Sequence, residues 1–430
     1  MLVNFRVENF NSFKDLTEFS MEATKLKNLK ESNVFDINNI ALLKSAVVYG
    51  ANASGKSNFL LAINKMRNIL SDSINIEKMK KYVHQPFLLN TKSEKKETFF
   101  EMEFIINEIL YRYGFIIEID GIILEEHLFQ KKLQPRAKEV LLFQREKQVI
   151  TIGNLYKEGK SIDDKTRDNA LFISVVAQFN GELSKQILQW FAKFNVISNL
   201  KKDYFEEFTH DALNNEKLKE KIINFIKNAD VGIYSINNRK IKFEDLIQEK
   251  IINNDDLNSL SNDTVEQLKN DEFSRIETQH MQYNEKNEFI KMKSFDLDFE
   301  SDGTQILLAL SGPIIDTLLR GGILAIDELD NSLHTELVEA IVKIFNSNET
   351  NPNNAQLIFT THDTNLLNQK LFRRDQIWFT QKNIYGSSEL YSLVEYGKGK
   401  GRDDLVLEKN YLEGKFGARP HINSLVFEVD

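Results

Sequence analysis

The chain has 430 residues, 41% of them apolar and 28% charged, which is enough material for a large core. It contains no cysteine, and this excludes disulfides, thiol catalysis, Cys-ligated zinc and iron–sulfur clusters. A net charge of −9 argues against a protein that coats nucleic acid nonspecifically, because phosphate neutralisation dominates such binding. The opening Met1-Leu2-Val3-Asn4-Phe5-Arg6 lacks the apolar core of a signal peptide. No apolar run approaches the ~20 residues that span a bilayer, so a cytoplasmic protein with no membrane contact is expected.

Residues 1–22 read as two short strands, with Val3, Phe5 and Val7 alternating before a turn at Asn9-Phe10-Asn11-Ser12. Residues 23–40 are polar and read as a surface loop. The apolar run Ala46-Val47-Val48-Tyr49 then leads into Gly50-Ala51-Asn52-Ala53-Ser54-Gly55-Lys56-Ser57. Leu60, Ile63, Met66 and Leu70 follow at helical spacing. A G-x-x-x-x-G-K-[ST] run between a strand and a helix is a phosphate-binding loop. Its glycines are expected to let the backbone curl into left-handed geometry, so that successive N–H groups surround an anion. Candidate nucleotide contacts are Gly50, Asn52, Ala53, Ser54, Gly55, Lys56, Ser57 and Asn58. Lys56 would meet the β- and γ-phosphates, and the Ser57 hydroxyl would ligate Mg2+.

Between residues 97 and 129 apolar and polar side chains alternate, with breaks at Asn107-Glu108 and at Asp120-Gly121. Further pairs around Val140–Phe143 and Val149–Ile152 continue the pattern, which predicts an antiparallel sheet. Residues 167–228 read as mainly helical, with Leu183, Ile187, Leu188, Phe191 and Phe194 on one face and Trp190 as core filler. The charged stretch 240–285 does not sustain coiled-coil heptads and reads as an arm of short helices.

Four stretches in the last third carry the remaining chemistry. Glu300-Ser301-Asp302-Gly303-Thr304-Gln305 opens an apolar helix and makes either an anion site or a simple cap formed by Ser301 or Thr304. Ile323-Leu324-Ala325-Ile326 is a strand ending in Asp327-Glu328, where Asp327 would hold Mg2+ and Glu328 would polarise water. Asn331-Ser332-Leu333-His334 follows at once. Leu357–Thr360 is another strand and ends in Thr361-His362-Asp363, which places His362 to sense a γ-phosphate.

In that order these motifs resemble the ABC-type ATPase head of the SMC, RecF and OLD group. The resemblance is closer still to the stand-alone RloA-like ATPases of bacterial abortive-infection and anti-phage systems. It extends through Arg373-Arg374-Asp375-Gln376-Ile377-Trp378-Phe379 and closes with Tyr411-Leu412-Glu413-Gly414-Lys415-Phe416-Gly417-Ala418. The fold it implies is an α/β P-loop ATPase whose mixed sheet carries an antiparallel β-subdomain and a helical insertion. The halves of the head would be residues 1–165 and 291–430, with the insertion at 166–290.

By that resemblance ATP and Mg2+ are the cofactors, and Lys56, Glu328 and His362 the catalytic set. Ser301 and Gly303 of one subunit would cap the γ-phosphate held by another, which implies an ATP-dependent head-to-tail dimer or a higher homo-oligomer. Gln85 is the candidate Q-loop glutamine and would add a metal ligand beside Ser57 and Asp327. The group's nuclease domain has no counterpart after Phe379, so a separate nuclease or toxin effector is expected. Direct DNA binding is the alternative. It would use the locally basic residues Lys201, Lys202, Lys217, Lys219, Lys221, Arg373 and Arg374, which read more simply as a solvated helix face.

Overall fold

A computed structural model describes residues 1–79, 85–198, 202–229, 232–243, 247, 273–396 and 406–419. They fall in two compact units, residues 1–200 with 317–430 and residues 201–316. The short helices expected between 248 and 272, and Lys201, lie outside the described residues.

The first unit opens with β1 (Leu2–Glu8) and β2 (Thr17–Ser20), joined at the predicted turn. These strands extend an antiparallel sheet made by β6 (Thr98–Ile106), β7 (Ile109–Ile117), β8 (Ile123–Lys132), β9 (Val140–Glu146) and β10 (Val149–Ile152). Its order is β10-β9-β8-β7-β6-β1-β2. At the β6–β7 turn, Asn107 and Glu108 have φ of 47° and 63°, the paired left-handed geometry of a two-residue hairpin.

Residues 23–40 are not a plain loop. A helical turn α1 (Lys30–Asn33) precedes a hairpin of β3 (Val34–Ile37) and β4 (Ile40–Leu43). Its turn residues Asn38 and Asn39 both have positive φ, and Phe35 and Leu42 pack in a small core with Val3, Ile105 and Leu133. Burial of those two apolar side chains overrides the polar average of the segment.

A second sheet holds β5 (Ser45–Gly50), β11 (Phe194–Ile197), β15 (Ile323–Ile326), β16 (Gln356–Thr360), β17 (Ile377–Lys382) and β18 (Ser388–Ser392). The order is β11-β15-β16-β5-β17-β18, parallel except for the β17–β18 hairpin. Helix α2 (Lys56–Asp72) follows β5 and a short turn α3 (Ile76–Met79) follows α2. Phe59, Leu60, Ile63 and Met66 of α2 share one core with Phe5, Val7 and Phe100 of the first sheet and Ala46 and Val48 of β5. The Phe59 ring lies 6.2 Å from Phe5 and 4.9 Å from Phe19. A helix wedged this way is held on more than one side, so its N-terminus is rigidly aimed.

Helices α4 (Phe172–Gln178) and α5 (Glu182–Ala192) complete this unit's predicted helical stretch, and Trp190 stacks on Phe104 at 4.3 Å as core filler. Each of the two helices begins on a carboxylate. Glu126 accepts from the N–H groups of Phe172 and Ile173, and Glu158 from those of Leu183 and Ser184. Phe194 does not continue α5 as expected. Its buried side chain opens β11, which pairs with β15 at the sheet edge.

In the second unit, α6 (Lys202–Leu213) and α7 (Glu216–Asn228) precede an antiparallel sheet. That sheet comprises β12 (Ser235–Ile241), β13 (Phe273–Tyr283) and β14 (Phe289–Asp296). Residues 273–285 are therefore a strand and its turn rather than short helices, because Ile276 and Thr278 alternate into a buried face. Lys217 and Lys221 are exposed on α7. The remaining helices are α8 (Asp302–Arg320), α9 (Thr335–Asn346), a turn α10 (Leu393–Tyr396) and α11 (Leu407–Leu412). Among the described residues no helix is long and apolar enough to cross a membrane.

Candidate nucleotide-binding site

The parallel strands β5, β15 and β16 bring the phosphate loop, the acid pair and His362 to the carboxyl edge of one sheet. Open α/β sheets bind their ligands in the crevice at this edge. β16 lies between β5 and β15, so the acids and the loop face each other across one strand.

Within the loop, the left-handed turn falls on Ala53, with φ of 59°, and on Gly55, with φ of 121°. Gly50, expected to supply such geometry, serves close packing instead: a Cβ there would collide with the Thr380 and Ser54 side chains. Ala53→Val should lower stability by about 1–2 kcal/mol, since a branched side chain resists this backbone. Ala53→Gly should raise it by roughly 0.5–1 kcal/mol. Thermal melting of the nucleotide-free chain checks both.

The loop is fastened from β17 and β18. Ser54 Oγ shares a hydrogen bond with Thr380 Oγ1 at 2.6 Å, and Ser388 Oγ donates to the Ser54 carbonyl at 2.6 Å. Asn58 Nδ2 donates to Ser12 Oγ at 2.8 Å, which ties α2 to the turn after β1. Lys56 is buried and its Nζ donates to the carbonyls of Gly50, at 2.9 Å, and Ala51, at 3.2 Å. Burial pushes the Lys56 ammonium down to about 8, opposed by the nearby carboxylates of Glu328, Asp327 and Asp330.

Thr360, which ends β16, organises the acid pair. Its hydroxyl donates to Asp327 Oδ1 at 2.7 Å and accepts from the Glu328 backbone N–H at 2.7 Å. Asp327 is buried, whereas Glu328 is exposed and held at φ of 52°, a backbone that costs of order 1–3 kcal/mol in a residue with a side chain. His362 Nε2 lies 3.5 Å from Glu328 Oε1, and the His362 N–H donates to Asp330 Oδ2 at 3.2 Å. Asp330 Oδ1 is buried without a hydrogen-bond partner. A cavity of about 340 Å³ is lined by the loop from Asn52 to Asn58 together with Glu328, His362 and Lys382.

Ser57, Asp327 and the orphaned Asp330 oxygen are hard oxygen donors that suit Mg2+, which needs only one or two carboxylates when phosphates share its coordination. Among the described residues no cluster of three or more His, Asp or Glu would hold a metal without such help.

The other expected residues have structural contacts of their own. Gln85 is exposed and lines no described cavity, although its carbonyl accepts from the Asn11 N–H at 2.7 Å. His334 caps α9, its Nδ1 accepting from the Glu336 N–H. In the second unit, Ser301 caps α8. Its Oγ accepts from the Thr304 N–H at 3.3 Å, and Gly303 lies in the first turn. Glu300, just before it, accepts from Thr278 Oγ1 and pairs with His280 Nε2 at 2.7 Å. Arg373, counted among surface basic residues, is fully buried and ion-paired with Asp375, so it presents no charge to solvent.

Thr360, Thr380 and Ser388 are contributors that sequence reading passed over. Thr360 was the nearest to being found, because it is the polar end of a strand whose neighbouring strand ends in Asp327.

A phosphate loop after β5, an acid pair after β15 and a histidine after β16 are the arrangement of an AAA-type P-loop ATPase domain. Residues 45–368 match the family described as "AAA domain, putative AbiEii toxin, Type IV TA system", and the chain belongs to that family. Among solved structures it is similar to an SMC head domain from Thermotoga maritima, at 12% identity and a TM-score of 0.43, over 91% of this chain and 98% of that one. An SMC head bound to the C-winged helix domain of ScpA is similar at 14% identity and a TM-score of 0.45, over 91% and 97% of the respective chains. No curated protein matches the chain in sequence.

Proposed function

We propose that the chain hydrolyses ATP in a Mg2+-dependent reaction and uses the γ-phosphate to control a separate effector of a bacterial anti-phage system. The convergence of buried Lys56 with Glu328 and His362 on one phosphate-sized cavity, beside the buried Asp327, carries this reading. Lys56 holds the β- and γ-phosphates, while Ser57 and Asp327 hold Mg2+, with Gln85 a further candidate ligand. When bound, Mg2+ neutralises the phosphate charge that builds up during transfer. Glu328 orients and deprotonates the attacking water, and His362 contacts the γ-phosphate. Ser301 and Gly303 of a second copy close the site from the far side, so ATP clamps two protomers and hydrolysis releases them. The family description, which names a putative toxin and a toxin–antitoxin system, supports a toxin as the controlled partner.

Lys56→Ala should abolish ATP binding, measured by titration with a fluorescent ATP analogue; unchanged affinity would remove the phosphate-loop assignment. In the unsubstituted chain, Lys56 is cationic below about pH 8 and loses its proton above it when no phosphate is bound. ATP affinity should therefore fall as pH rises through that value. Charged Lys56 also opposes folding at low pH, and that cost fades between about pH 8 and the ordinary lysine range.

A further inference from the structure

The phosphate cavity continues past His362. A second cavity of about 690 Å³ shares Asn52, Ala53, Ser54, His362 and Lys382 with it and ends against Tyr411, Leu412, Ala418 and Arg419. Tyr411, Leu412 and Ala418 belong to the C-terminal motif that no catalytic role has absorbed, and Arg419 directly follows it. The segment is firmly built in. Tyr411 stacks on Phe379 at 5.6 Å, Tyr391 OH donates to the Phe416 carbonyl at 2.7 Å, and the Ala418 N–H donates to Gln381 Oε1 at 3.0 Å. Those contacts use rings and backbone groups of the segment; Glu413 and Lys415 pair with each other, and Arg419 lines the cavity.

Lys382, Arg419 and His362 are the basic groups lining this cavity, and among the described residues no carboxylate lines it. Lys382 and Arg419 are exposed, and neither has an ion-pair partner among the described residues. Such an uncompensated basic pocket attracts an anion. Its position selects which one. In a phosphate loop the α-phosphate meets the helix N-terminus, so the nucleoside leaves past Ser57 and Asn58. Neither residue lines the second cavity, which opens at the His362 end, where the γ-phosphate would project.

We propose that Lys382 and Arg419 form a γ-phosphate-reading pair in the same subunit, making the C-terminal segment the part of the chain that distinguishes ATP from ADP. This rests on the reading of the loop as an ATP site. A route onward from the pair is present: the Thr364 hydroxyl donates to Glu408 of α11 at 3.4 Å, and Tyr49 OH donates to the Asp363 carbonyl at 3.3 Å. The turn after His362 and the C-terminal segment are thus joined directly.

The test is titration of the full chain with fluorescent ATP and ADP analogues in Mg2+. Arg419→Ala and Lys382→Met should each weaken ATP binding about tenfold, the loss of one charge-assisted contact, and leave ADP within about twofold. Arg419→Lys should recover part of the loss. Equal loss for both nucleotides, or loss for neither, overturns the pair. Both side chains are exposed, so melting of the nucleotide-free variants should stay unchanged. If Arg419→Ala melts early, Lys382→Met decides alone. Wild-type chain that binds neither nucleotide, or binds both regardless of Lys56→Ala, defeats the ATP-site reading itself and is distinguishable from failure of the pair.

Discussion

Replacing Glu328 by Gln is expected to slow ATP hydrolysis by roughly a hundredfold to a thousandfold while leaving ATP affinity within a few-fold, as loss of a general base does. The substitution keeps the size of the side chain and its hydrogen-bonding reach to His362, 3.5 Å away, and removes only basicity. The backbone that aims residue 328 is held independently, by the N–H bond to Thr360 and by the φ of 52°. The exposed side chain contributes little to packing, so the variant should fold normally. Phosphate release measures the first effect. The second effect is assembly: with turnover blocked, ATP and Mg2+ should hold the variant as a dimer, read by light scattering behind size exclusion. Wild-type turnover would take Glu328 out of the proposed role. A strictly monomeric variant at saturating nucleotide would sink the head-to-tail clamp while leaving the phosphate site standing.

Arg373→Ala should destabilise the fold by about 3–5 kcal/mol, the range for breaking a buried ion pair from one side. All its donors are spent: two meet the Asp375 carboxylate, at 2.9 and 2.7 Å, and the others meet the carbonyls of Thr24, Leu26 and Asn28. Asp375 in turn accepts from the Thr24 N–H and hydroxyl. The cluster pins the segment after β2 to the base of the second sheet, where Gln376 reaches the Ser45 carbonyl of β5. Alanine would strand a buried carboxylate and three carbonyls together. Lysine should rescue little, because a point charge cannot occupy five planar donor directions. Removing both charges, with Arg373→Met and Asp375→Leu, should recover only part of the loss, because the carbonyls remain unpaired. Urea unfolding of the three variants checks the order, and equal stability of single and double variants would show that the carbonyls dominate.

Much of the candidate site was legible because its residues follow their own strands. The run Ala46–Tyr49 before Gly50 and the run Ile323–Ile326 before Asp327 are buried on both faces, and such strands read as unbroken apolar stretches. The antiparallel sheet was legible for a related reason: alternation through Phe100, Met102 and Phe104 has period two, and the turns between strands carry Asn107-Glu108 and Asp120-Gly121. The hairpin of β3 and β4 was missed although Asn38-Asn39 is a turn signal of the same kind, because four-residue strands are too short to show a period. Phe194 was misassigned because one aromatic residue fits a helix face and a strand start equally well.

Sequence by itself determined that this chain carries a phosphate loop on a strand–helix junction, with an acid pair and a histidine at later strand ends. These are local facts, fixed by which side chains a short stretch offers and by where its apolar run stops. Tertiary structure decided what those groups touch. It placed the left-handed turn on Ala53, because Gly50 is needed where Thr380 crowds the backbone. It joined Thr360 to an acid pair 33 residues away, and Arg373 to carbonyls some 350 residues away. It also brought the C-terminal segment to the rim of the phosphate cavity. Partner choice over such separations is set by burial and by the pairing of every buried polar group. No periodicity in the chain records it.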